Sequence, residues 1–117
     1  MTYVKINETL YPATVNGRNP DRDWDNRHSK AITLEMDHAT ALETFVDDLE
    51  WSIVYQAGSY VNEAGETVIP EPETYDNSEF FVAGRITDNR NGTVTVKMGT
   101  KTAEEQLAEM MEVIGNE

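Results

Sequence analysis

The sequence predicts an α+β fold: a mainly antiparallel sheet of about six strands covered by two amphipathic helices, near residues 37–49 and 102–114. Three observations predict it. Short runs of apolar–polar alternation recur along the chain, which is strand period. Two other runs, Leu42, Phe45, Val46, Leu49 and Leu107, Met110, Met111, Ile114, place apolar residues at i, i+3, i+4 and i+7, which is helix period. Turn-forming Gly, Asn and Pro residues separate the runs. A sheet with one apolar face requires covering, and the two helices are the available covers.

The first two strands read as residues 3–6 and 10–15, joined at Asn7-Glu8-Thr9. Pro12 cannot donate to a ladder, so the second is expected at a sheet edge or with a break, and Asn16-Gly17 is expected to end it. Residues 18–30 are polar and charged around one large aromatic, which predicts an exposed loop anchored by Trp24. Residues 29–36 form the next strand, with Ile32, Leu34 and Met36 on one face and Ala31, Thr33 and Glu35 on the other. Asp37 is a candidate N-cap for the first helix. Residues 50–57 return to strand period with Trp51, Ile53, Tyr55 and Ala57 on one side, closing a strand–helix–strand unit.

Residues 58–79 read as a long irregular loop. Within it, 63–66 could turn a short hairpin between Tyr60-Val61 and Val68-Ile69, and Pro70-Glu71-Pro72-Glu73 then blocks regular structure.

The last forty residues are the most legible. Phe80, Val82 and Ile86 alternate with Phe81, Ala83, Arg85 and Thr87; Val94, Val96 and Met98 alternate with Thr93, Thr95 and Lys97. A two-residue Asn91-Gly92 turn would pair Ile86 with Lys97, apolar against polar. A three-residue loop, Arg90-Asn91-Gly92, pairs Asn89 with Thr93 and Ile86 with Val96, and sets Gly84 against Met98. Register follows burial, so the second is expected: a type I turn with Gly92 left-handed. Thr102-Ala103-Glu104-Glu105 fits a capping box, Glu104 and Glu105 suit the positive end of the helix dipole, and Gly115 is a natural stop. The Met110–Met111 pair reads as core filler.

The 117 residues suffice for a single α+β domain, 1–117, with one modest core. There is no cysteine, which excludes disulfides and thiolate metal sites. No apolar run reaches the roughly 18 residues a membrane span needs, and Met1-Thr2-Tyr3 opens straight into a strand, so no signal peptide is expected. Twenty-two acidic against nine basic residues give a formal charge of −13. That argues against nucleic-acid and membrane partners, whose phosphates need Lys and Arg. A solvated acidic surface is the plain reading of this charge, and a DNA mimic the sharper one.

No catalytic constellation survives inspection. Asp21, Asp23 and Asp25 resemble the opening of a calcium loop, but Asn26 stands where that loop needs glycine and Ile32 where it needs a bidentate glutamate. With Arg22 and Arg27 interleaved, a salt-bridged loop is expected. His28 and His38 have no partner at metal-ligand spacing, the serines lie in no nucleophile elbow, and the glycines form no phosphate cradle. No enzyme activity, cofactor or metal is expected. The candidate partner surface is aromatic: Trp24, Tyr60, Tyr75, Phe80 and Phe81.

Three segments carry a resemblance: Asp23-Trp24-Asp25-Asn26-Arg27 leading into 29–34; 44–54, from Thr44-Phe45-Val46-Asp47-Asp48 to Trp51; and 75–99, from Tyr75-Asp76-Asn77 through Ala83-Gly84-Arg85 to Gly99. Together they resemble small prophage-encoded proteins of gut Firmicutes. The resemblance implies phage context, a tail or other virion module or an assembly accessory. Its partners would be other phage proteins or further copies of the chain, and its place the bacterial host cytoplasm or the virion. An acidic inhibitor of a host defence or nucleic-acid enzyme, and a small-ligand or carbohydrate binding module, are the alternatives from other classes.

Overall fold

The computed structural model describes residues 1–115, with side chains described through Met111. Nine strands and two helices follow in the order β1 (Thr2–Ile6), β2 (Thr9–Asp21), β3 (Arg27–Glu35), α1 (His38–Thr44), β4 (Ser52–Tyr55), β5 (Tyr60–Val61), β6 (Thr67–Val68), β7 (Glu73–Asp76), β8 (Val82–Asp88), β9 (Thr93–Gly99) and α2 (Ala103–Gly115). The α+β class is as expected, but the main sheet has seven antiparallel strands, in the order β7-β4-β1-β2-β3-β9-β8, and β5–β6 form a separate hairpin.

β2 organises the sheet. Its residues Thr9 to Pro12 pair with β1, and Ala13 to Asp21 pair with β3. β2 is therefore not an edge strand, but the break expected as the alternative is present at Pro12. This proline sits where β2 changes partner, so its missing donor interrupts neither ladder. Asn16-Gly17 does not end the strand either, because Asn16 pairs with Ala31 and Gly17 with Lys30. The exposed loop expected over 18–30 shrinks to residues 22–26, and β3 begins at Arg27. A ladder skip between Arg18 and Asp21 contains the cis Asn19–Pro20 peptide. The β1–β2 turn is Asn7-Glu8, both left-handed, as a two-residue primed turn requires.

The apolar face is the one the alternation indicates. Val4, Ile6, Ile32, Leu34, Val94, Val96 and Met98 are buried with Ala41, Phe45, Trp51 and Phe80 in one cluster. The opposite face is polar. Thr14, Thr33, Thr95 and Thr87 share one register row across β2, β3, β9 and β8, and the Thr33 and Thr95 hydroxyls are bonded at 2.9 Å.

α1 is shorter than the 37–49 expected. Asp37 caps it, accepting from the Thr40 amide at 2.6 Å, but Phe45 leaves helical geometry. The next residues are recruited elsewhere: the Asp47 carboxylate accepts from Ala83 N–H at 2.8 Å, and the left-handed Asp48 donates its amide to Phe81 O at 2.8 Å. Only Ala41 and Phe45 of α1 and its C-cap face the core, leaving Leu42 and Val46 exposed. β4 is likewise cut to four residues, with Trp51 and Val54 buried and Tyr55 exposed. The Trp51 indole N–H donates to Phe80 O at 3.0 Å.

The β8–β9 register matches the three-residue loop, with Ile86 opposite Val96 and Asp88 opposite Val94. Two details differ. A bulge between Ala83 and Ile86 sets Ala83, not Gly84, opposite Met98. Arg90 is left-handed as well as Gly92, so the turn is not type I. Asp88 and Asn91 side chains instead accept from the Arg90 and Thr93 amides.

α2 is the largest departure. Its capping box is present: Glu105 N–H donates to Thr102 Oγ at 3.1 Å, and Thr102 N–H to Glu105 Oε1 at 2.9 Å. Yet α2 does not cover the sheet. Among the described residues it packs on no other element, and Leu107, Met110 and Met111 are 56, 62 and 63% exposed. Ile114, the fourth residue of the expected stripe, has a side chain outside the described residues. The chain is correspondingly long, 68 × 33 × 26 Å, with a Cα radius of gyration of 17.9 Å. A compact chain of this length has about 13 Å.

Candidate contact surface

The five aromatic residues chosen from sequence divide into two groups. Trp24, Phe80 and Phe81 hold the body together, whereas Tyr60 and Tyr75 face solvent.

Trp24 is the anchor of the β2–β3 loop. Its backbone bonds to Asp21 O and Arg27 N, and the left-handed Asp25 and Asn26 turn the chain back. The indole lies on the polar face of the sheet against two glycines. A Cβ at Gly84 would stand 2.6 Å from Cη2 of Trp24, and one at Gly99 2.7 Å from Cζ3. Arg27 stacks on the ring at 4.5 Å. Its buried guanidinium also bonds Trp24 O, Thr100 O at 3.1 Å and Glu105 at 2.9 Å, which ties the loop, the end of β9 and the base of α2 together. Trp24 is thus half-buried, with its ring packed on the sheet.

Beneath it the Asp21 carboxylate is fully buried. It accepts from Ser29 Oγ at 2.7 Å, Lys97 Nζ at 2.9 Å and Asp23 N–H at 3.1 Å. The Ser29 hydroxyl, with Lys97 second, lowers its pKa to about 2 despite burial. Asp23 pairs with Arg18 and Asp25 with Arg27. The calcium-like aspartates are therefore the salt-bridged loop that was expected. Among the described residues no group of three or more His, Asp or Glu side chains could hold a metal ion.

Phe80 is buried under Lys30, whose Nζ lies 5.3 Å from the ring centroid. Phe81 is half-buried below Lys101 at 5.6 Å and lines a 260 Å³ cleft with Asp47, Asp48, Val82 and Glu105. Both carbonyls accept bonds that close the fold. Trp51 is also buried.

Tyr60 and Tyr75 belong to the stretch read as an irregular loop. It contains three short strands. The β5–β6 hairpin pairs Tyr60 with Val68 and Val61 with Thr67. Its turn is held by Asn62 Oδ1, which accepts from the Ala64 and Glu66 amides, and by left-handed Gly65. Gln56 closes its base, donating to Pro70 O at 2.7 Å. The hairpin exposes Tyr60, Val61 and, just beyond β6, Ile69 at 74%. Tyr75 sits on the edge strand β7, whose pairing with β4 sets it opposite Ile53. Its hydroxyl donates to Glu73 at 2.6 Å, and that bond raises its pKa.

Sequence reading thus missed Leu107, Met110 and Met111 as surface residues. Periodicity marks apolar faces without saying which ones find a neighbour. One signal was available for α2: the helix contains four glutamates and no basic residue, which suits a solvated arm better than a lid. Several other carboxylates are committed to local structure, including Asp37 and Asp76, whose pKa values are lowered by hydrogen bonds from Thr40 and Ser78. Among the described residues no helix is long and apolar enough to cross a membrane. No protein-family model, curated protein or solved structure matches this chain.

Proposed function

We propose that the chain is a non-enzymatic component of a phage particle, in the tail or as an assembly accessory, that works through protein–protein contacts. One observation carries this reading. Two elements, the β5–β6 hairpin and α2, hold large apolar side chains in water while standing off a well-packed seven-stranded sheet. Isolated exposed apolar residues are ordinary, but grouped ones on a projecting element mark interaction sites. The prophage resemblance of residues 23–34, 44–54 and 75–99 supplies the phage context. Tyr60, Val61 and Ile69 on the hairpin and Tyr75 on the edge strand β7 are the residues for contacts among copies.

Size-exclusion chromatography with light scattering over a concentration series tests this. Oligomers that grow with concentration and are lost in Val61→Ser/Ile69→Ser are expected. A strict monomer at every concentration, with the variant indistinguishable from the parent, removes the self-assembling form of the proposal.

A further inference from the structure

The β8–β9 turn carries one side-chain amide placed to react with its own backbone. Asn91-Gly92 is exposed at the tip of the hairpin, in the loop closed by the bond from Asn89 N–H to Thr93 O. The Asn91 side-chain oxygen accepts from Thr93 N–H at 3.1 Å and from the Thr93 hydroxyl at 2.6 Å. These two donors polarise the Asn91 Cγ carbonyl and face the negative charge that grows on its oxygen under attack. The next nitrogen in the chain is the nucleophile. Among the described residues the Gly92 N–H has no acceptor, and a Cβ at Gly92 would meet nothing within 4 Å. Without a side chain of its own, Gly92 leaves the approach to Cγ open.

The second Asn-Gly pair lacks this arrangement. Asn16 and Gly17 lie inside the β2–β3 ladder, opposite Ala31 and Lys30, so ring closure there must twist a paired strand. We infer that Asn91 is a self-modification site, which deamidates in the folded protein while Asn16 is spared. Solvent base removes the Gly92 amide proton, the nitrogen bonds to Asn91 Cγ, and the Cγ–Nδ2 bond breaks with Nδ2 leaving as ammonia. Water then opens the succinimide at either carbonyl, giving aspartate or isoaspartate. The net change is amide plus water to carboxylate plus ammonia. Either product adds a negative charge to the turn that holds Asp88, and isoaspartate also lengthens the backbone between β9 and the edge strand β8.

The test incubates the purified full chain in warm, mildly alkaline buffer and follows both Asn-Gly pairs by peptide mapping and mass spectrometry. Exchange of the amino group for hydroxyl adds about 1 Da. The peptide with Asn91 should convert at least about tenfold faster than the one with Asn16. Thr93→Val, which removes the hydroxyl donor, should slow Asn91 several-fold, and Thr93→Ser should restore the rate; circular dichroism checks that both variants fold. In urea only sequence distinguishes the two pairs, and they should react at similar rates. An Asn91 that stays intact, an Asn16 that converts as fast in the folded chain, or an unaltered rate in Thr93→Val overturns the inference. So does the same preference for Asn91 in urea, which would make the sequence and not the fold its cause.

Discussion

Gly84→Ala tests whether Trp24 is the wedge that fastens the β2–β3 loop to the sheet. Gly84 is not left-handed, so its backbone accepts alanine, and the smaller unfolded-state entropy alone would stabilise the fold by about 0.4–1 kcal/mol. The space opposes this. The new methyl would meet Cη2, Cζ2 and Cζ3 of Trp24 at 2.6, 2.9 and 3.0 Å, whereas carbon atoms rest at about 3.5–4.0 Å. The ring must retreat by about 1 Å, but Arg27 stacks on it at 4.5 Å and Gly99 closes its other contact. Overpacking of this kind costs about 1–3 kcal/mol, so the net loss should be about 1–2 kcal/mol. In urea that moves the unfolding midpoint down by about 1 M at unchanged slope, followed by far-ultraviolet circular dichroism. The same substitution in Trp24→Ala has no ring to meet and should be neutral or stabilising, a coupling of at least about 1 kcal/mol. An unchanged midpoint for Gly84→Ala, or strictly additive costs, would refute the wedge.

Other perturbations follow from the same contacts. Lys97→Met removes one of the bonds to buried Asp21 and should cost about 1–3 kcal/mol in urea unfolding. Because the folded pKa of Asp21 is depressed to about 2, its contribution is full above the ordinary aspartate range and is lost as pH falls from about 4 to 2; Asp21→Asn should flatten that stretch of the stability curve. Arg27→Met removes the bonds to Glu105, Trp24 O and Thr100 O and should cost about 1–3 kcal/mol, lowering the thermal midpoint. Thr102→Ala removes the capping hydroxyl of α2 and should cost about 1 kcal/mol of helix stability, read as lost ellipticity at 222 nm.

The legible features were those whose chemistry closes within a few residues. Asp37 reaches Thr40, Thr102 reaches Glu105, and the three-residue loop followed from matching Ile86 to Val96. The faces of β3 and β9 were legible for the same reason, since alternation is local. What escaped depends on distant partners. β2 runs through Asn16-Gly17 because β3 offers a ladder on which turn-forming residues have no alternative. α1 stops at Thr44 because Asp47 and Asp48 bind the backbone of Phe81 and Ala83. Pro12 looked like an edge residue, and each half-ladder does end there, but only the pairing shows that one strand serves both. Of the candidate surface residues, Tyr60 and Tyr75 are exposed, Trp24 and Phe81 are half-buried against the body, and Phe80 is buried, a division that depends on distant packing. The apolar stripe of α2 was read correctly as a stripe and wrongly as core.

Small-angle X-ray scattering of the dilute chain tests most directly whether the apolar hairpin and helix stand free as contact surfaces. The account predicts a monomer with a radius of gyration near 17.9 Å and a longest dimension near 68 Å. A radius near 13 Å would mean that these elements fold back onto the sheet, and would contradict it.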